Sequence, residues 1–137
     1  MILLVLLASI AISLGLAALI VRRGRAKADE ALEPLGARQR TAVATALGTS
    51  AAVGPLTATG TLVLTADEVG FAQWRPPHLL RIRRTDVIDV APVREHLGRT
   101  MRSDVLQVTW REGTEEQQVA FFIRDLEPWL TDLGATR

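Results

Sequence analysis

The sequence predicts an N-terminal transmembrane helix followed by a mostly-β domain of about seven antiparallel strands, which a C-terminal α-helix caps. Three observations support this class: an unbroken apolar run at the start, a hydrophobic period of two through most of the remainder, and one apolar stripe at helical spacing near the end. Of the 137 residues, about a hundred follow the apolar run and its charged flank, which suits one compact domain.

The apolar run extends from Met1 to Val21 and is long enough to cross a hydrocarbon core of roughly 30 Å. A cleaved signal peptide would have positive charge before a shorter apolar core and small residues at a cleavage site after it, so we predict an uncleaved signal-anchor over 1–21. The charges that follow the run should leave the N-terminus outside and the rest in the cytoplasm, at a cell inner or plasma membrane. These membrane-orientation charges are Arg22, Arg23, Arg25 and Lys27.

Small residues recur every four positions within the run, at Ser9, Ser13 and Ala17 and at Ala11 and Gly15. Such faces let helices approach closely in lipid, which would permit a homo-oligomer through the transmembrane helix. Small residues are also common on lipid-facing helix surfaces, and the sequence leaves both interpretations open.

Residues 22–37 are predicted to be a basic juxtamembrane stalk, and 38–137 the folded domain. Ala26 to Glu33 favours helix by propensity and should extend the membrane helix by two turns before Pro34 and Gly36 end it. Of the 16 basic and 15 acidic residues, four basic and three acidic ones lie in this stalk, which leaves 12 of each in the domain. A neutral domain without Tyr lacks the electrostatic pattern of a nucleic-acid binder. Without Cys, the chain has no disulfide framework or thiolate chemistry.

The alternating segments predict seven strands. A loop rich in Gly, Ser and Thr, from Gly48 to Gly60, should follow the first strand, and a polar loop over 94–104 should precede the sixth. In the fourth strand Leu80 and Ile82 should point inward, while Arg81 and Arg83 point outward. The predicted strands are 40–47, 60–65, 69–74, 78–84, 87–93, 105–110 and 117–123.

The last segment, DLEPWLTDLG, predicts a helix of about two turns. Asp125 is the expected N-cap, Pro128 lies in the first turn, and Gly134 can end the helix. A helix this short needs a partner surface, and it should cover the open mouth of the curled sheet. The capping stripe at i, i+3, i+4 and i+7 is Leu126, Trp129, Leu130 and Leu133.

Four segments within 60–133 resemble bacterial PH-like (GRAM-like) domains: GTLVLTADEVGF, LRIRRTDVIDV, REHLGRTMRSDVLQVTW and VAFFIRDLEPWL. Trp129 matches the helix tryptophan of these domains, whereas many of them have Pro where Arg83 stands. The resemblance implies a PH-like open barrel or sandwich with a membrane-associated binding or scaffolding role of uncharacterised detail. Eukaryotic PH domains that hold phosphoinositides use basic residues on and after the first strand, and the loop from Gly48 to Gly60 contains none.

One group of basic residues forms a candidate anionic-surface contact, with a local excess of positive charge. The alternative is a solvated outer strand face on which arginines discourage edge pairing. We therefore expect a protein-interaction or scaffolding module with an unidentified protein partner, and as the alternative a domain that senses anionic lipid through these arginines. They are Arg75, Arg81, Arg83, Arg84, Arg94, Arg99 and Arg102.

No residue pattern predicts an enzyme, a cofactor site or a metal site. His78 and His96 lie in separate parts of the chain without further ligands nearby, and Ser103 beside Asp104 lacks the G-x-S-x-G context of an activated nucleophile. The three tryptophans are expected to serve as core and cover rather than as an aromatic cage: Trp74, Trp110 and Trp129.

Overall fold

The computed structural model describes residues 1–49 and 58–134. One long helix, α1 (Ile2–Leu32), continues into a 3-10 turn (Glu33–Leu35), and the chain leaves the helix at Gly36 with φ 99°. A short helix, α2 (Glu127–Leu133), follows the strands. The strands are β1 (Arg38–Thr49), β2 (Thr59–Thr65), β3 (Glu68–Gln73), β4 (His78–Arg83), β5 (Val87–His96), β6 (Arg99–Glu112) and β7 (Glu115–Ile123).

Within the described residues the seven strands form one antiparallel open sheet in the order β4-β3-β2-β1-β7-β6-β5. The two edge strands, β4 and β5, are joined by a 3-10 turn, Arg84–Asp86. Inward side chains from all seven strands belong to one buried cluster together with Trp129 and Leu130 of α2. Because side chains from opposite ends of the strand order share one core, the sheet must curl around it, and α2 lies against that core.

The α1 helix has two parts with different surroundings. Its first part is long and apolar enough to cross a membrane, and the rest of the protein leaves its large apolar side chains uncovered. Its last part and the 3-10 turn after it pack on the outer face of β2 and β3, where Leu32 and Leu35 join Val63 and Ala72 in a second buried cluster. We call this contact the helix–sheet interface. The segment predicted as a stalk is therefore packed against the domain.

A glycine makes the helix–sheet interface possible. A Cβ added to Gly70 of β3 would lie 2.3 Å from Leu35 Cδ2 and 3.1 Å from Leu32 Cδ2. Since real Cβ atoms do not approach so closely, a side chain here would push the helix away from the strand. The helix–sheet interface thus covers β2 on its outer face while the main core covers the other, and β2 is buried along nearly its whole length.

The structure corrects the predicted polar loop over 94–104. β5 and β6 instead continue pairing as far as His96 and Arg99 and form a long hairpin with Leu97 and Gly98 at its tip. Both tip residues have positive φ, 49° and 78°, as a two-residue type I′ turn requires. The sequence hid these strand ends because their side chains are mostly polar and exposed.

The structure also corrects the predicted N-cap of the closing helix. The cap position is Leu126 and has no side-chain capping hydrogen bond; its carbonyl accepts from the N–H groups of Trp129 and Leu130. Asp125 therefore lies one residue too early. Gly134 ends the helix in the left-handed conformation with φ 67°, as predicted. Most of the predicted loop from Gly48 to Gly60 lies outside the described residues, as does the C-terminus after Gly134.

Candidate functional site

A cleft lies where the two edge strands approach each other beside the turn that joins them. It has a volume of about 690 Å³, and its walls include Glu68 and Arg81 on one side, Val87 and Ile88 on the other, and the end of β6. Within the described chain β4 pairs only with β3, and β5 only with β6. Each of these two strands therefore has one edge without backbone hydrogen-bond partners, and both edges border this region. We call it the edge cleft.

The side chains of the edge cleft combine both signs of charge with apolar surface. Arg81 donates from Nε and Nη2 to the two carboxylate oxygens of Glu68, at 3.1 and 2.8 Å. This bidentate hydrogen bond, and then the charge of the carboxylate, raise the pKa of Arg81. Ile88 is 48% exposed although it is a large apolar side chain on an edge strand. The edge cleft therefore presents charged groups of both signs beside exposed apolar surface.

The candidate anionic-surface arginines do not form one patch. Arg81 is paired with Glu68, and Arg94 donates from Nε to Asp104 Oδ1 at 3.0 Å. Arg84 is occupied by the chain itself: its guanidinium donates to the backbone carbonyls of Thr65 and Asp132, both at 3.1 Å. These partners reduce the charge that such side chains offer to a surface.

Strand geometry separates the remaining arginines. Arg75 precedes β4 and Arg83 is its last residue, and the six residues of β4 span roughly 17 Å. Arg99 and Arg102 lie near the tip of the β5–β6 hairpin, at the far end of β5 from the edge cleft. The seven residue steps from Val87 to Arg94 alone span roughly 23 Å. The sequence cluster is thus distributed over three parts of the sheet.

The juxtamembrane charges, by contrast, come together with part of the domain. Arg23, Gly24 and Lys27 of α1 lie beside the β3–β4 turn and line a groove with Trp74 and Arg75. The Arg25 guanidinium lies over the Trp74 ring, 5.9 Å from its centroid. No ion pair joins Arg22, Arg23, Arg25 or Lys27 to an acid in the described part of the chain.

Trp74 occupies a position that sequence reasoning missed. It is half-buried against the helix–sheet interface, and its Nε1 donates to Thr61 Oγ1 at 2.9 Å. The Cβ of a residue at position 24 would lie 3.3 Å from Trp74 Cβ, so Gly24 permits the close approach of helix and turn. Gly24, which interrupts the basic run, was the sequence feature that could have indicated this close contact. Trp110 and Trp129 are in the main core, 4% and 2% exposed.

His96 is the second residue whose placement the sequence concealed. It is 2% exposed, and its ring joins β6 to β1: Gln107 Nε2 lies 3.0 Å from Nδ1, and Nε2 lies 2.9 Å from the Gly48 carbonyl oxygen. Because the Gln107 amide nitrogen donates, Nδ1 accepts and Nε2 donates to the carbonyl. His96 therefore has a structural role, whereas His78 is exposed at the start of β4.

The remaining candidates have ordinary surroundings. Ser103 is exposed on β6, and Asp104 beside it accepts the hydrogen bond from Arg94. The described residues contain no group of three or more His, Asp or Glu side chains placed to hold a metal ion. The closing-helix stripe lies in the main core or against it: Leu126, Trp129, Leu130 and Leu133.

Comparison with models of known protein families, with curated protein sequences and with solved structures finds no match to this chain.

Proposed function

We propose that this protein is a single-pass membrane protein whose PH-like (GRAM-like) domain serves as a protein-interaction or scaffolding module at the cytoplasmic face of an inner or plasma membrane. The candidate transmembrane helix and the seven-stranded sheet with its C-terminal helix support the first part of this proposal. The basic residues after Val21 support the cytoplasmic placement.

The edge cleft is the single observation on which the binding role depends. Two strand edges without partners in the described chain border it, and an extended peptide can add main-chain hydrogen bonds to such an edge. Exposed Ile88 offers an apolar contact, while Arg83 and Asp86 provide charges of opposite sign for an adjacent polar segment. We infer that the partner contributes an extended polypeptide segment.

Site-specific photo-crosslinking in cells that make the protein tests this function. A photoreactive amino acid replaces Ile88 in the edge cleft or, as the matched control, Leu97 at the hairpin tip, which is similarly exposed at 52%. We expect a discrete crosslinked species from position 88 that position 97 does not form. Charge reversal at Asp86 should weaken that crosslink. Equal crosslinking from both positions, or none from position 88, would contradict the proposal.

Lipid sensing by the seven arginines is the weaker candidate, because three of them are occupied by partners within the chain and the rest lie far apart. Among the seven, Arg75 alone lies in the groove beside the juxtamembrane helix.

A further inference from the structure

A second groove lies between α1 and the β3–β4 turn, with a volume of about 310 Å³. The helix contributes positions 20, 23, 24 and 27, which lie on one face at i, i+3, i+4 and i+7. The turn contributes Trp74, Arg75 and Pro77. We call this feature the helix–turn groove.

The helix–turn groove lies at the level where the apolar run ends. Trp74 packs on Gly24, three residues after Val21, which is a rise of about 4.5 Å along the helix axis. Ile20, the groove residue nearest the N-terminus, still belongs to the apolar run. If the run crosses a bilayer, the groove opens into the headgroup layer, where tryptophan side chains are enriched.

The charged side chains that line the helix–turn groove are all positive. Three cations line it, Arg23, Lys27 and Arg75, and no acidic side chain does. None of the three has an ion-pair partner among the residues that the structure describes, whereas Arg81 and Arg94 on the sheet are both paired with acids. Guanidinium and ammonium groups that line one groove at this depth match the phosphate of a lipid headgroup.

The walls of the groove are held in place by the fold. The Trp74 indole is fixed by its hydrogen bond to Thr61, and Gln73 Nε2 donates to the Pro76 carbonyl oxygen at 2.8 Å, which holds the turn. The helix side is fixed by Leu32 in the helix–sheet interface. Binding therefore requires little ordering of the backbone, which favours affinity.

We propose that the helix–turn groove binds the phosphate headgroup of an anionic phospholipid from the leaflet that borders Arg22. The proposal uses the membrane anchor of the proposed function but not its edge cleft. Arg23, Lys27 and Arg75 contact the phosphate oxygens, and Ile20 and Trp74 contact the apolar part of the lipid next to the headgroup.

Native mass spectrometry of the full chain in detergent micelles tests the site, with phosphatidylglycerol and phosphatidylcholine titrated separately. The test variant is Lys27→Ser with Arg75→Ser, which leaves the orientation charges Arg22, Arg23 and Arg25 in place. Each basic side chain near an anionic surface contributes about a five-fold change in affinity, so we expect about thirty-fold weaker retention of phosphatidylglycerol. Higher salt should weaken retention by the unchanged chain.

Two matched variants separate a defined site from general charge. Arg99→Ser with Arg102→Ser removes the same charge at the hairpin tip and should leave retention within about two-fold of the unchanged chain. Lys27→Arg with Arg75→Lys keeps the charge and should keep most of the binding. Equal loss in the tip variant, or no preference of the unchanged chain for phosphatidylglycerol, would overturn the proposal.

Folding and anchoring are checked independently. Circular dichroism melts should show that the test variant retains the stability of the unchanged chain, and a charge-retaining variant that fails to bind while folded would also count against the site. Carbonate washing of cell membranes tests the anchor alone. A chain that stays in the membrane but shows no lipid preference refutes only the lipid site, and a chain that washes off refutes the anchor.

Discussion

Replacing Leu32 with Ala should detach the end of α1 from the sheet without unfolding the domain. Leu32 is fully buried in the helix–sheet interface, whose five buried residues also include Ala28, Leu35, Val63 and Ala72. Truncating a buried Leu to Ala costs about 2–5 kcal/mol, and this small cluster has few other contacts to compensate. At 1.36 kcal/mol for each factor of ten, a cost of about 2–5 kcal/mol increases the open population about 30- to 5000-fold.

The absence of cysteine from the sequence provides the assay. A single Cys introduced at Ala72, which is 2% exposed beneath the helix, reacts with a maleimide only when the helix–sheet interface opens. A single Cys at Ala46, 1% exposed in the main core, reports opening of the sheet instead. In the full chain in micelles, Leu32→Ala should accelerate labelling at position 72 by the predicted factor and leave position 46 nearly unchanged.

The matched control for this prediction is Leu16→Ala, the same substitution at an exposed position on the same helix. It should change labelling at neither site. Unaltered labelling at position 72 in Leu32→Ala would show that the helix does not cover the sheet. Equal acceleration at positions 72 and 46 would show that the sheet cannot remain folded without the helix, and would refute the separation of the two clusters.

Three further outcomes are expected. Trp129→Ala should cost about 3–5 kcal/mol in thermal melts of the full chain, because Trp129 is 2% exposed in the main core; melting within a degree or two of the unchanged chain would contradict this packing. Arg81→Ser with Arg83→Ser should shift the melting temperature by only a few degrees, since both side chains are exposed, and a cooperative loss of folding would disprove their outward orientation. A C-terminal reporter active only in the cytoplasm should be active, and its inactivity would reverse the topology proposed from the charges after Val21.

The sheet was predictable because its inward residues are strongly patterned. Leu80 and Ile82 alternate with Arg81 and Arg83 in β4, and the structure buries the first pair and exposes the second. The seven strands and the closing helix follow from such local signals. The long β5–β6 hairpin does not, because burial of His96 depends on the carbonyl of Gly48, 48 positions away in the chain.

The helix–turn groove and the edge cleft were less accessible to sequence reasoning because each joins segments distant in the chain. Arginines that are neighbours in sequence, such as Arg81 and Arg84, have separate partners in the fold. Arg75 lies instead beside Arg23 and Lys27, about fifty positions earlier. Clustering along the chain was a poor guide here because strands carry successive charges away from one another, whereas packing brings distant ones together.

The helix–sheet interface links these two surfaces to the candidate transmembrane helix. A flexible stalk would let the domain rotate freely, but here α1 continues unbroken to Leu32 and packs on β2 and β3. The β3–β4 turn is thereby held near the end of the apolar run, while the edge cleft lies at the opposite end of β4, about 17 Å along the strand. If the apolar run crosses a bilayer, this arrangement places the helix–turn groove at the bilayer end of the domain and the edge cleft away from it. Consequently, a fragment that begins at Arg38 would expose Val63 and Ala72 and lose one wall of the groove, so the end of α1 is structurally part of the domain.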